Sequence, residues 1–312
     1  MSSVWITGAR GFIGRNLAKH LGDKGDHVVG IGHGAWPDAD AARWGVSYWV
    51  NGDIKPGNLR QLARDHGWPD FIYHLAGGSS VGAATAGPLE DFARSVTTTA
   101  EVLDWIRLES AETRLIAASS AAVYGAGHDG PMAESLAGTP ASPYGYHKLL
   151  MEHLCRSYAS TYGIRVALPR MFSVYGAGLR KQLLWDICSQ LSAGSTYVEL
   201  GGTGDELRDW IDVRDVARAL NLVRELASDD APSINLGTGE ATSIRKIATL
   251  VTAAWPTRST VRFDGKVRPG NPFSLLADNT QLNALGFRWM IPVDRGIRDY
   301  VGWYLNSDGA AA

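Results

Sequence analysis

The sequence predicts an α/β fold, a doubly wound parallel sheet followed by a smaller C-terminal α/β lobe. Three observations carry this. Short apolar runs alternate with helix-period segments along most of the chain. A glycine-punctuated turn, Thr7-Gly8-Ala9-Arg10-Gly11-Phe12-Ile13-Gly14, directly follows the first run. Several later runs also end in glycine, where open α/β sheets bind ligands.

The first strand is Val4-Trp5-Ile6, and Phe12, Ile13 and Leu17 continue at helical spacing. Gly8 permits the tight turn, Gly11 lets backbone approach a diphosphate, and Gly14 allows close helix–strand packing. Amides at the helix start then face the anion, which makes this a Rossmann-type dinucleotide site. His27–Ile31 is the second strand. The residue just beyond it faces the adenosine ribose, where an acid would bond the 2′-hydroxyl and repel a 2′-phosphate. Here the stretch is Gly32-His33-Gly34, with no acid, and Arg10 can reach a 2′-phosphate or be an ordinary surface charge. NADP(H) is therefore expected ahead of NAD(H).

Val46–Val50 is a third strand closed by Gly52-Asp53-Ile54, with Asp53 either beside the adenine or capping a helix. Phe71–Ala76 is a fourth, whose end at Leu75, Ala76 and Gly77 leaves bare backbone beside the cofactor. A helix over 89–108 leads to the strand Arg114–Ala118 and to Ser119-Ser120. In Tyr144-Gly145-Tyr146-His147-Lys148 the tyrosine and lysine stand one helical turn apart on one face. An ammonium held near a phenol favours phenolate; a fall in its pKa from near 10 to about 7 corresponds to roughly 4 kcal/mol. A serine hydroxyl at the neighbouring strand end can hold the same substrate oxygen.

These motifs resemble the extended short-chain dehydrogenase/reductases, the nucleotide-sugar epimerases, dehydratases and ketoreductases. The likeness extends through His74-Leu75-Ala76-Gly77, Ser119–Gly125 and Arg170–Gly176 to Gly202–Val213 and Arg268-Pro269-Gly270-Asn271. It implies Ser120, rather than Ser119, as the catalytic hydroxyl beside Tyr144 and Lys148, with Met171 near the cofactor. It also implies Ser80, Phe172, Ser173, Arg208 and Arg268 as substrate-binding, the two arginines gripping a diphosphate. Dehydratases and uronate decarboxylases of this kind carry an acid directly after the catalytic hydroxyl, and C3/C5 epimerases a cysteine two residues after it. Ala121 and Ala122 stand there instead, which leaves hydride chemistry at one carbon, C4.

The absent ribose acid, with Leu207–Ala219 and Ser79–Gly82, is similar to GDP-4-keto-6-deoxymannose reductases. A 4-ketoreductase is thus the first expectation and a hexose 4-epimerase the alternative. A dinucleotide-binding sensor and a reductase of unphosphorylated ketones are more remote.

Residues 1–168 are expected to form the dinucleotide-binding domain, with segments about 207–236 returning to it, and 169–312 mainly the substrate lobe, the sugar lying between them. The 312 residues give ample length for a core, and 30 Lys+Arg against 32 Asp+Glu argue against nucleic acid or a membrane as partner. No apolar run approaches ~18 residues and no leader pattern is present, so a soluble, cytoplasmic protein is expected. Cys155 and Cys188 are expected to pack inside helices, no metal-ligand spacing occurs, and the resemblance implies a homodimer.

Overall fold

The computed structural model describes residues 1–128, 130–266 and 272–307. They divide into two compact units: one comprises 1–125, 134–171 and 216–236, the other 126–133, 172–215 and 237–312. Leu207–Asp212 belongs to the second unit, and the chain returns to the first at Val216.

The first unit is a parallel sheet covered by helices. Its strands are β1 (Ser3–Thr7), β2 (His27–Gly32), β3 (Tyr48–Asn51), β4 (Phe71–His74), β5 (Arg114–Ala117), β6 (Ser119–Ser120) and β7 (Val166–Met171), plus the later Ser233–Leu236. Ser233–Leu236 pairs β7 at one edge; inward run β5, β4, β1, β2 and β3, with β6 also on β7. The order reverses between β1 and β4, the topological switch at which such sheets bind ligands. Strands covered on both faces must be apolar throughout, which is why Val4, Trp5 and Ile6 are all buried. Helix α1 (Phe12–Asp23) buries Gly14, Leu17, Ala18 and Leu21, an apolar stripe at 3.6 spacing. Trp105 stacks on Trp5 with centroids 5.2 Å apart and anchors the helix that carries it.

The helix expected over 89–108 is interrupted. It comprises α2 (Pro88–Phe92), a π-helical turn (Ala93–Thr97) and α3 (Thr98–Glu109), preceded by a short helix over Val81–Ala86. Thr99 Oγ1 donates back to Ser95 O (2.6 Å), a side-chain bond that competes with the regular ladder. The turn aims Ser95 Oγ at Gly78 N (2.9 Å), just beyond β4.

In the second unit, Leu207–Asp212 is the central strand. Ser173–Tyr175 and Ser274–Leu275 pair with it in parallel and Ala241–Ser243 antiparallel. Its Asp209 is fully buried and accepts from Thr238 N, Thr238 Oγ1 and Gly239 N at 2.7–2.8 Å. Gly237-Thr238-Gly239 is therefore a strand-to-loop turn folded around a carboxylate. Ser243 caps the following helix by accepting from Lys246 N (3.2 Å).

Candidate active site

The glycine turn joins β1 to α1. Gly8 N donates to Ile31 O (2.7 Å) and Gly11 N to Gly8 O (2.9 Å), which folds the turn onto the end of β2. Gly11 is the residue before α1, and Phe12 and Ile13 begin the helix. A Cβ on Gly14 would stand 2.3 Å from Gly8 O and 2.8 Å from Ala9 Cα. The glycine thus protects the shape of the turn itself, where the sequence suggested helix–strand packing. The helix start left open by these bare residues fits a diphosphate.

Gly32 ends β2, and Gly34 is fixed by Asn51 Oδ1, which accepts from its N–H (2.9 Å), and by Trp49 Nε1, which donates to its carbonyl (3.1 Å). The Arg10 guanidinium lies over this loop: a Cβ at Gly34 would meet its Nη1. His33 Nε2 stands 3.4 Å from Asp53 Oδ1, both exposed. Asp53 is not a helix cap; the helix over Pro56–His66 starts after Lys55 without a side-chain cap. Ile54 is buried in the core beside it.

Leu75, Ala76 and Gly77 follow β4. Thr7 Oγ1 accepts from Ala76 N (3.2 Å) and lies 2.8 Å from His74 Nδ1. The other ring nitrogen of His74 faces Thr98 Oγ1 at 3.4 Å. Burial first, then the Lys148 charge, pushes His74 down to about 3, so its ring is neutral at ordinary pH.

Helix α4 (Pro143–Tyr162), which carries Tyr144 and Lys148, starts at Ser142, which caps it by accepting from Gly145 N (3.2 Å). Gly145 is what allows it to approach the Ser120 segment: a Cβ there would sit 2.5 Å from Ala122 O. Tyr144 is half-buried with Ser120 beside it as the side chain that draws its phenol pKa down, and Ser120 Oγ accepts from Ala122 N (3.2 Å). Ser119 points the other way and donates to the buried Glu152 Oε1 (2.6 Å). Of the two serines, Ser120 alone faces the tyrosine.

Lys148 is 5% exposed and donates to Ala118 O (2.9 Å) at the end of β5. Burial pulls its pKa down to about 8, against the opposing charges of Asp91 and Glu152. Its Nζ is 6.0 Å from the Tyr144 ring centroid. The expected lowering of Tyr144 by Lys148 is not found. Burial pushes the phenol up, the Ser120 hydrogen bond draws it back in part, and the Asp91 charge adds to the rise. Desolvation of the phenolate outweighs an ammonium at that distance.

Two buried groups behind the triad escaped the sequence reading. Arg170 on β7 donates Nε to Glu152 Oε1 (2.8 Å) and Nη2 to Glu152 Oε2 (2.7 Å), and Nη1 to Tyr124 Oη (3.0 Å). An arginine in an otherwise apolar strand run, with Glu152 one turn beyond Lys148, was the signal available. The other is His147–Asp91, a histidine beside the lysine meeting an acid far back in the chain.

Of the expected substrate residues, Ser80 uses its hydroxyl to cap the helix over Val81–Ala86, accepting from Ala83 N (3.3 Å). Met171 closes β7. In the second unit, Phe172 is nearly buried and Ser173 pairs with Trp210. Arg208 donates Nη1 to Leu207 O (2.7 Å) and Phe273 O (3.3 Å), and burial lowers its pKa. Arg268 lies outside the described residues. Cys155 and Cys188 are buried free thiols, both pushed up to about 12 by burial. Among the described residues no acid, His or Cys cluster suits a metal ion, and no helix is long and apolar enough to cross a membrane.

A switch-point glycine turn combined with a Ser–Tyr–Lys constellation at the ends of β5 and β6 defines a dinucleotide-dependent oxidoreductase of the extended short-chain type. Residues 4–237 match the NAD dependent epimerase/dehydratase family, and the chain belongs to that family. The UDP-glucose 4-epimerase of Streptomyces lividans is 30% identical over 261 residues, 79% of each chain. The structure of UDP-glucose 4-epimerase from Brucella ovis in complex with NAD is 29% identical, with a TM-score of 0.86 over 97% of this chain and 98% of that one. MoeE5 in complex with UDP-glucuronic acid and NAD is also 29% identical, TM-score 0.86, covering 97% and 99%.

Proposed function

We propose that the protein is an NAD-dependent 4-epimerase of a UDP-hexose. The observation that carries this is Ser120 beside Tyr144 and followed by Ala121 and Ala122, which provides for proton transfer at one oxygen and no second acid or base. The relatives named above support the epimerase, the alternative weighed from the sequence, over the reductase placed first.

In this reading Gly8, Gly11 and Gly14 cradle the pyrophosphate. Gly32, His33 and Arg10 flank the adenosine ribose, Asp53 and Ile54 the adenine, and Leu75, Ala76, Gly77 and Met171 the nicotinamide end. The bound dinucleotide supplies a hydride acceptor at C4 and then the donor of the same hydride. Tyr144 takes the C4 hydroxyl proton as the ketone forms and returns it as the alcohol re-forms on the other face. Ser120 holds that oxygen in line with the phenol. Lys148 fixes the nicotinamide ribose. Arg208, with Arg268, anchors the diphosphate. A homodimer is part of the proposal, with exposed Leu89, Tyr146 and Leu150 on its face.

The test is incubation with UDP-glucose, UDP-N-acetylglucosamine and UDP-glucuronic acid without added reductant, followed by proton NMR. Conversion of one to its C4 epimer is expected; inertness of all three would overturn the reading. Arg10 lying over Gly34, with no acid at Gly32, favours a second reading: NADPH-dependent reduction of a 4-keto sugar nucleotide. NADPH consumption with such a ketone, without epimerisation, would establish that instead.

A further inference from the structure

Asp91 is a buried carboxylate, 5% exposed, on α2, outside the Ser–Tyr–Lys set. His147 Nδ1 donates to its Oδ2 at 2.5 Å, and the His147 side chain is itself only 11% exposed. Phe92 closes over the histidine edge-on, with centroids 5.5 Å apart. The other oxygen, Oδ1, presses on the chain just past β4: it stands 1.8 Å from where a Gly78 Cβ would be. One residue back, the same construction at Gly77 lies 3.6 Å from Lys148 Nζ. The carboxylate thus abuts the strand end that the lysine reaches.

Around it, α4 contributes Tyr144, His147 and Lys148, and Glu152 one turn further on. The strand end contributes His74, which is neutral. The π-turn contributes Ser95 and Arg94, the latter ion-paired outward with Glu90. Glu152 is held by both Arg170 and Arg156. Asp91 is then the carboxylate whose side-chain partner is a histidine and not an arginine.

We propose that Asp91 balances the buried Lys148 ammonium and that His147 holds it there, the two forming a positioning dyad for the catalytic helix. The idea rests on the proposed role of Tyr144 and Lys148 in C4 chemistry. A carboxylate at this place stabilises the lysine cation and opposes the tyrosine anion, so both groups hold their protons more tightly with it than without it.

Asp91→Asn keeps the shape and removes the charge. Titration of Tyr144, read as ultraviolet difference absorbance between each protein and its Tyr144→Phe counterpart, should move to lower pH by roughly one unit. The alkaline limb of the kcat profile should move the same way. Unmoved titration and limb, whatever the change in kcat, would reduce Asp91 to a structural residue and overturn the proposal. Should Asp91→Asn not fold, His147→Lys sets a lasting cation on the same carboxylate and must shift the alkaline limb and the titration in the same direction; no shift overturns the proposal equally. The titration needs no substrate. If the wild-type protein turns over no nucleotide sugar, the proposed function fails while the dyad is still tested.

Discussion

Glu152→Gln provides the sharpest energetic test of how the site is supported. Glu152 is 0% exposed, and both oxygens are fully engaged: Oε1 by Ser119 Oγ and Arg170 Nε, Oε2 by Arg170 Nη2 and Arg156 Nη2. The amide removes the charge and turns an N–H donor towards groups that are themselves donors. Arg170, 5% exposed, keeps Tyr124 Oη and Glu134 O but loses the carboxylate it is paired with. Breaking a buried pair from one side costs about 3–5 kcal/mol. Urea unfolding followed by tryptophan fluorescence measures the loss.

The pH dependence has a definite sign. Burial alone would raise Glu152, but its bonds and charge contact with Arg170 and its bond from Ser119 hold it below the usual carboxylate value of 4.5. The stabilisation is therefore complete above 4.5 and disappears as pH falls through the lower, folded value. Glu152→Gln should abolish that part of the acid slope. A loss under about 1 kcal/mol, or an unchanged acid slope, would refute the claim that this pair supports the strand ends beside Tyr144 and Lys148.

Three further outcomes follow from the geometry. Tyr144→Phe should lower turnover by about 10²–10⁴-fold while cofactor binding, measured by calorimetry, survives. Gly14→Ala forces a methyl against Gly8 O and should weaken dinucleotide binding at least about tenfold, or roughly 1.4 kcal/mol, by fluorescence titration. His74 is held down to about 3 in the fold against 6.5 when unfolded, so the unfolded chain binds the extra proton between those values. Stability should rise with pH across that window, and His74→Gln should flatten the slope in unfolding measured from pH 4 to 7.

The parts of the site legible in the sequence are those fixed by local geometry. The glycine turn is one continuous segment at a strand–helix junction, and Tyr144 and Lys148 share a face because a helix has 3.6 residues per turn. What escaped depended on packing between distant segments. Asp91 and His147 are separated by 56 positions and meet because α2 lies on α4. The choice between Ser119 and Ser120 became physical only when strand alternation sent one towards Glu152 and the other towards Tyr144. The rise in the Tyr144 pKa was invisible for a related reason: spacing reveals the nearby ammonium and not the desolvation that exceeds it. The π-turn at Ala93–Thr97 arises where Ser95 and a run of threonines offer the backbone competing bonds, in a segment whose apolar spacing reads as continuous helix.

The central claim, reversible transfer of one hydride at C4, is tested most directly with whichever UDP-hexose turns over, deuterated at C4. The account predicts that the C4 epimer forms with the deuterium still at C4, without net accumulation of reduced dinucleotide. Loss of the label to solvent, or product formed only in step with consumption of added NADPH, would contradict it.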